Sequence, residues 1–285
     1  MNIYARAQSN VLPWIRDTPL PTTSPEAYPR FQSWHHFHHS TQGWVPIRTS
    51  DNTSNSPGNL PEQPSSSDGP CHLVNLTWNI DAGSACARER ARDIVTYLTQ
   101  LDPKVDIIFI QEVSKSALSQ ILMDDRIRGS WFSSEGDEAA WGTQRFSMMT
   151  LLSKTRFAPS DDASNAVLGP IWRVRYPSRY GRDALCCDIF IPSLEESSAT
   201  RIRLVNVHLD SLPIQPSCRP QQLSIVSPFL RSAGRGLVAG DFNQVLDEDA
   251  TLLEKNGLVD AWTTLHPEEP GYTSRNGREA TVSAK

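Results

Sequence analysis

The chain has 285 residues, 38% hydrophobic and 21% charged, with a formal net charge of -5. That supplies a sizeable core and excludes a protein that coats long nucleic acid through overall charge. It leaves room for an enzyme that meets phosphates through a metal and a local basic patch. Cys71, Cys86, Cys186, Cys187 and Cys218 show no metal-ligand spacing and read as reduced thiols. Met1–Asn10 lacks the apolar core of a secretory signal, and no apolar run reaches membrane-spanning length. The expected setting is nuclear or cytoplasmic, not secreted, without membrane contact.

Residues 1–70 are rich in Pro, Ser, Asn and Asp and are expected to be largely disordered, because they cannot bury enough apolar surface to offset ordering. Within them, residues 31–48 carry Trp34, Trp44, Val45 and Ile47 around the His35–His39 cluster. The reading preferred there is an aromatic stretch that docks on the following domain, over a histidine metal site without separated ligands.

From residue 71 to 285 the pattern is that of a folded domain. Leu73–Thr77 reads as a strand ending near Asn79. Ala87, Ala91, Ile94, Val95, Leu98 and Leu101 fall at helical spacing, and Asp102-Pro103 ends that helix. Val105–Ile110 is an unbroken β-branched run, suited to a strand covered on both faces, and ends in Gln111-Glu112. A second helix carries Val113, Ala117, Leu118, Ile121 and Leu122. Strands are expected over Ser147–Ser153, Ile171–Tyr176, Ala184–Ile191, Arg201–Leu209 and Leu237–Asn243, with Arg156–Gly169 as a loop. Arg219–Leu230 reads as a helix interrupted at Pro228, and another helix is expected near Glu248–Lys255.

Several strands end in a polar group of one chemical family: Asn79, Glu112, His208 with Asp210, and Asp241 with Asn243. In open α/β sheets ligands bind beyond the carboxyl ends of strands. Each residue alone has an ordinary explanation as a cap, a turn or a satisfied histidine, but their recurrence at strand ends marks a site. Carboxylate and amide oxygens with one imidazole suit Mg²⁺, with Mn²⁺ as the alternative, better than Zn²⁺. Such a set fits metal-assisted phosphoester hydrolysis.

Trp78-Asn79-Ile80, Gln111-Glu112-Val113, Asn206-Val207-His208-Leu209 and Gly240-Asp241-Phe242-Asn243 together resemble the ordered motifs of the endonuclease/exonuclease/phosphatase superfamily, which includes deoxyribonuclease I. Thr77–Asp81, Met148–Leu152, Gly181-Arg182 and Val259–Trp262 before Gly271-Tyr272-Thr273 look most similar to its tyrosyl-DNA phosphodiesterase 2 branch.

The resemblance implies an α/β four-layer sandwich of two facing mixed β-sheets flanked by helices. It implies Glu112 as principal metal ligand, assisted by Asn79, which also faces the phosphate. His208, Asp241 and Asn243 would be catalytic, and Arg182, with Arg173, Arg175 and Arg179 nearby, would form a basic wall for substrate phosphates. The implied substrate is a phosphoester, at a DNA end. Asp210 stands where that branch carries Glu after His-Leu and is given no role. The family's closing Ser-Asp-His motif does not occur, and His266 is not a substitute. The expectation is therefore a domain that lacks its last strands, with impaired activity. A lipid or inositol phosphate phosphatase, and a non-catalytic scaffold on the same fold, remain as alternatives.

Overall fold

The computed structural model describes residues 28–47, 72–159, 165–191, 199–269, 271 and 273. Most of the segment expected to be disordered, and Cys71 and Tyr272, lie outside the described residues.

Strands β1 (Pro29–Gln32), β2 (His35–His38), β3 (Gly43–Pro46), β4 (Asn75–Asn79), β5 (Ile107–Ser114), β6 (Trp131–Ser133), β7 (Phe146–Ser153), β8 (Val167–Arg175), β9 (Asp183–Ile191), β10 (Thr200–His208) and β11 (Gly236–Asp241) form two sheets. One has the order β1-β8-β9-β10-β11 and the other β3-β2-β6-β7-β5-β4. Both repeat one scheme. β8–β9 and β9–β10 are antiparallel and β10–β11 is parallel; β6–β7 and β7–β5 are antiparallel and β5–β4 is parallel.

Three apolar layers separate four structural ones. Helices α1 (Ala87–Gln100) and α2 (Lys115–Met123) bury Ala91, Ile94, Leu98, Leu118 and Ile121 against Ile108, Ile110 and Leu151 of the six-stranded sheet. Ile107, Phe109 and Leu152 turn the other way, onto Leu185, Ile189 and Leu204 of the five-stranded sheet. That sheet's far side, with Val205 and Val207, packs on Leu223, Val226 and Leu230 of the helix Arg219–Ala233. The period-two alternation of side chains produces this. Cys186 and Cys187, adjacent on β9, fall into different layers, and both are free thiols. The architecture is the expected four-layer α/β sandwich of two facing mixed sheets.

Short helices α3 (Asp125–Ser130) and α4 (Lys154–Phe157) follow α2 and β7; the helix Arg219–Ala233 is α5, and α6 (Leu252–Lys255) and α7 (Ala261–Leu265) come after β11. Two local expectations need correction. Pro228 does not interrupt α5, which runs through it to Ala233. Part of the expected loop Arg156–Gly169 is α4 and the start of β8.

The aromatic stretch of residues 31–48 contributes strands rather than a surface patch. β1 pairs with β8 in one sheet, while β2, two residues later, pairs with β6 in the other. Trp34 lies between them, 2% exposed, and its Nε1 donates to the Gly169 carbonyl at 3.1 Å. Among the described residues no helix is long and apolar enough to cross a membrane.

Candidate active site

The parallel pairs β4–β5 and β10–β11 put their C-terminal ends together. In register, Asn79 stands beside Gln111 and His208 beside Asp241. Asn79 and Asp241 end the two edge strands, and the Asn79 Nδ2 donates to Asp241 Oδ2 at 2.8 Å and to Glu112 Oε1 at 3.1 Å. A single amide group thus draws together carboxylates from both sheets.

The backbone is bent to achieve this. Between Ile110 and Val113 the β5–β7 register shifts, and Glu112 adopts φ +56°. Asp81 and Asn243 also have positive φ, at +59° and +47°. Non-glycine residues in this region cost free energy and persist only where the surroundings hold them. Here the Ala82 N–H donates to Glu112 Oε2 at 3.0 Å, and the Asn243 N–H donates to Asp241 Oδ1 at 3.0 Å. Gly240 precedes Asp241 with φ +138°, and a Cβ on it would lie 2.0 Å from the Val207 carbonyl oxygen. Only glycine allows β11 to lie this close to β10.

His208 is 2% exposed, and its Nε2 has no hydrogen-bond partner. That nitrogen lies 3.6 Å from Glu112 Oε1 and 3.7 Å from Asp241 Oδ2. Burial, and then the nearby Arg182 charge, lower its pKa well below the ordinary value, so the ring is neutral. The Phe146 ring is tilted against it, with centroids 6.2 Å apart. A cavity of about 370 Å³ opens here, lined by Gln144, Arg145, Phe146, Tyr180, Arg182 and His208 among others.

Arg182 reaches the rim of the cluster. Its Nη1 donates to the Leu209 carbonyl and its Nη2 to Ser211 Oγ at 3.1 Å, and its guanidinium lies over the Tyr180 ring at 5.0 Å. Burial lowers its pKa, opposed by Asp210 and by Glu112 and Asp241.

The structure brings Asn79, Glu112, His208, Asp241 and Arg182 into one cluster. Asn243 lies beside it and donates from Nδ2 to the Leu209 carbonyl at 3.0 Å. Asn79 presents its N–H groups to the two carboxylates, while its Oδ1 accepts from the Asp81 N–H at 3.0 Å. One reading of the sequence changes, that of Arg173. Arg173 is not part of a basic wall: it is 8% exposed and pairs with Glu135 at 2.6 Å and Asp183 at 2.9 Å. Burial opposes its charge, but Asp183 and Glu135 together raise its pKa. His266 stacks on Trp262 with centroids 4.3 Å apart.

Sequence reasoning missed Phe146 and Tyr180, whose only sequence signal is proximity to a strand end or to Gly181-Arg182. It also missed Gln111 and Asn206, which lie within the quoted motifs but read there as spacers.

The residues fit a divalent cation on one physical ground: two carboxylates from different sheets converge on an imidazole nitrogen that is buried without a partner. Among the described residues no group of three or more His, Cys, Asp or Glu forms a ready-made metal cage. The two carboxylates offer hard oxygen donors of the kind that divalent cations such as Mg²⁺ and Mn²⁺ take.

Comparison with known proteins is consistent with this geometry. The profile of the Endonuclease/Exonuclease/phosphatase family matches residues 76–281. Similar solved structures include D. rerio TDP2 complexed with single-strand DNA product, 22% identical over 69% of this chain and 71% of that one, TM-score 0.51. They also include a humanized D. rerio TDP2 carrying 14 mutations, 22% identical over 69% and 73%, TM-score 0.51. At such identity the likeness establishes the fold. No curated protein matches. Since the profile spans well over half of the sequence and takes in every strand end that builds the cluster, the chain belongs to the Endonuclease/Exonuclease/phosphatase family.

Proposed function

We propose that this protein is a Mg²⁺-dependent phosphodiesterase that acts at DNA ends in the manner of tyrosyl-DNA phosphodiesterase 2, in the nucleus or cytoplasm. The observation that carries the reading is the partnerless His208 Nε2 facing Glu112 and Asp241. The fold shared with a TDP2 that holds single-strand DNA product supports the choice of substrate.

Glu112 and Asp241 would hold the cation, which polarises a phosphoryl oxygen and lowers the pKa of bound water. Asn79 keeps the two carboxylates in register. Neutral His208 carries a proton on one ring nitrogen and donates a hydrogen bond to a phosphate oxygen, where charge grows as water adds to phosphorus. The bond from phosphorus to the leaving oxygen breaks; the attacking water gives up one proton to solvent and the leaving oxygen takes one up from solvent, so the products are an alcohol or phenol and a phosphate monoester. Arg182 faces the same phosphate from the rim and offers N–H donors in a fixed plane. Asn243 steadies the turn that follows Asp241.

The test is Mg²⁺-dependent product release from a 5′-tyrosyl oligonucleotide and from bis-p-nitrophenyl phosphate, by the wild-type chain and by Glu112→Gln. Hydrolysis by the wild type that is lost in the variant is the expected result. Equal rates in both overturn the role of Glu112, and inactivity of the wild type on both substrates overturns the reading.

A further inference from the structure

We propose that Asp210 is a positioning residue, which acts through Ser178 to hold Arg182 at the cluster of Glu112, His208 and Asp241. Its functional meaning rests on the reading above, in which Arg182 meets a substrate phosphate.

Asp210 follows β10 and is 3% exposed. A carboxylate so buried needs donors; Cys218 and Gln222 hold it from the side of α5, and two others come from the segment carrying Arg182. Ser178 Oγ donates to Oδ1 at 2.6 Å, the Arg179 N–H to Oδ2 at 2.9 Å, and Gln222 Nε2 to Oδ1 at 2.8 Å. Gln222, fully buried on α5, also donates to the Pro177 carbonyl at 2.8 Å and accepts from the Asp210 N–H at 2.9 Å. The two ends of the device are thereby tied to one helix.

Ser178 is the hinge of the arrangement. Its one hydroxyl hydrogen goes to Asp210, which leaves both lone pairs free. Those lone pairs accept from the Tyr180 N–H at 3.1 Å and the Arg182 N–H at 3.0 Å. Residues 177–182 are therefore wound around one oxygen atom that Asp210 orients. Gly181, with φ +68°, supplies the left-handed step this needs.

The guanidinium closes the circuit. Its two terminal nitrogens are held by the Leu209 carbonyl and Ser211 Oγ, the residues on either side of Asp210. Backbone amide and side-chain tip are thus both referred to the same short segment. An arginine has many rotamers, and this arrangement removes most of that freedom before a phosphate arrives. The buried Nε of Arg182 has no partner.

The test has two arms on the full chain. In the first, without substrate, phenylglyoxal modification is followed at each arginine by peptide mass spectrometry. Ser178→Ala and Asp210→Asn are expected to speed adduct formation at Arg182 several-fold. Arg92, whose side chain is 60% exposed on α1, should react as in the wild type. Ser178→Thr keeps the hydroxyl and should restore the slow rate at Arg182. Equal Arg182 rates in the wild type, Ser178→Ala and Asp210→Asn overturn the proposal whatever the activity.

In the second arm, kcat/KM on the tyrosyl oligonucleotide is measured for Asp210→Asn, Arg182→Gln and the double variant. The double variant should be no slower than Arg182→Gln alone, because residues that act as one unit are non-additive. Additive losses overturn the proposal. An inactive wild type overturns the phosphodiesterase reading instead, and the first arm then decides the positioning role by itself.

Discussion

Gln111 and Asn206 meet between the two sheets: Gln111 Nε2 donates to Asn206 Oδ1 at 2.8 Å, and Asn206 Nδ2 donates to the Met149 carbonyl at 3.0 Å. Gln111 is 1% exposed and Asn206 is 0% exposed. One directly precedes Glu112 and the other lies two residues before His208, so this contact fixes the strands that carry the site. Asn206→Leu takes away one of the two acceptors of the buried Gln111 amide, the other being Thr77 Oγ1 at 3.0 Å, and leaves the Met149 carbonyl without its Asn206 donor; it should cost about 1–3 kcal/mol. The double change Gln111→Leu with Asn206→Leu should cost less than the sum of the singles. Urea midpoints of the four proteins check this; strict additivity would remove the coupling.

Gly240→Ala should destabilise by about 3 kcal/mol or more, because the backbone strain and the collision cannot both be relieved. The methyl would sit 2.0 Å from the Val207 carbonyl oxygen on the paired strand. Soluble yield and the denaturation midpoint report the loss, and a near-native midpoint would mean that β11 lies farther from β10.

Trp34→Ala should cost about 3–5 kcal/mol, as expected of a buried large aromatic. It removes a side chain packed between the sheets and leaves the Gly169 carbonyl without the indole donor. Trp34→Phe keeps most of the volume, and the difference between the two variants isolates the indole. Indistinguishable midpoints for the wild type and Trp34→Ala would show that residues 29–46 contribute little to the fold.

His35 lends the fold a pH dependence of defined sign. Burial lowers its pKa from the ordinary 6.5, against the opposing pull of Glu135 and Asp137. Below 6.5 the unfolded chain binds a proton that the native chain does not, so stability falls as pH falls through that value toward the native pKa. His35→Leu should shrink the drop in urea midpoint between pH 7.5 and 5.5, conditions chosen to bracket the ordinary histidine pKa of about 6.5. An unchanged drop would locate the dependence in other histidines, among them His36 and His208, whose pKa values are also lowered.

Mg²⁺ should raise the melting temperature of the wild type by mass action, by about 2.7 kcal/mol of stabilisation at a hundredfold excess over its dissociation constant. Chelation should reverse the gain, and Glu112→Gln should abolish it. A calorimetric scan that shows the same shift in both proteins would place the ion elsewhere.

Much of the strand order was legible because buried strands announce themselves as apolar runs and because polar groups recur where those runs end. His208 and Asp241 lie at strand ends, as expected, and the fold makes those two strands neighbours. Other features depend on tertiary partners. β1 to β3 read only as an aromatic stretch docking on the domain, within a segment expected to be largely disordered, since a strand of four residues gains its hydrogen bonds only from an existing sheet edge. Arg173 and Arg182 have the same local charge, and only the fold buries the first against two carboxylates and leaves the second at the cavity. The direction of the Asn79 amide is likewise set by Asp81 and Glu112, not by its own identity.

β1 and β2 belong to different sheets yet are separated only by Ser33 and Trp34. At the opposite margin, β4 and β11 are bridged by Asn79 and Asp241. The two sheets therefore resemble plates pinned along one spine and latched at the mouth, with Glu112 on one plate and Asp241 on the other. Glu112 and Asp241 thus face each other across a seam fastened at both margins, by the Trp34 indole at one and by the Asn79 amide at the other.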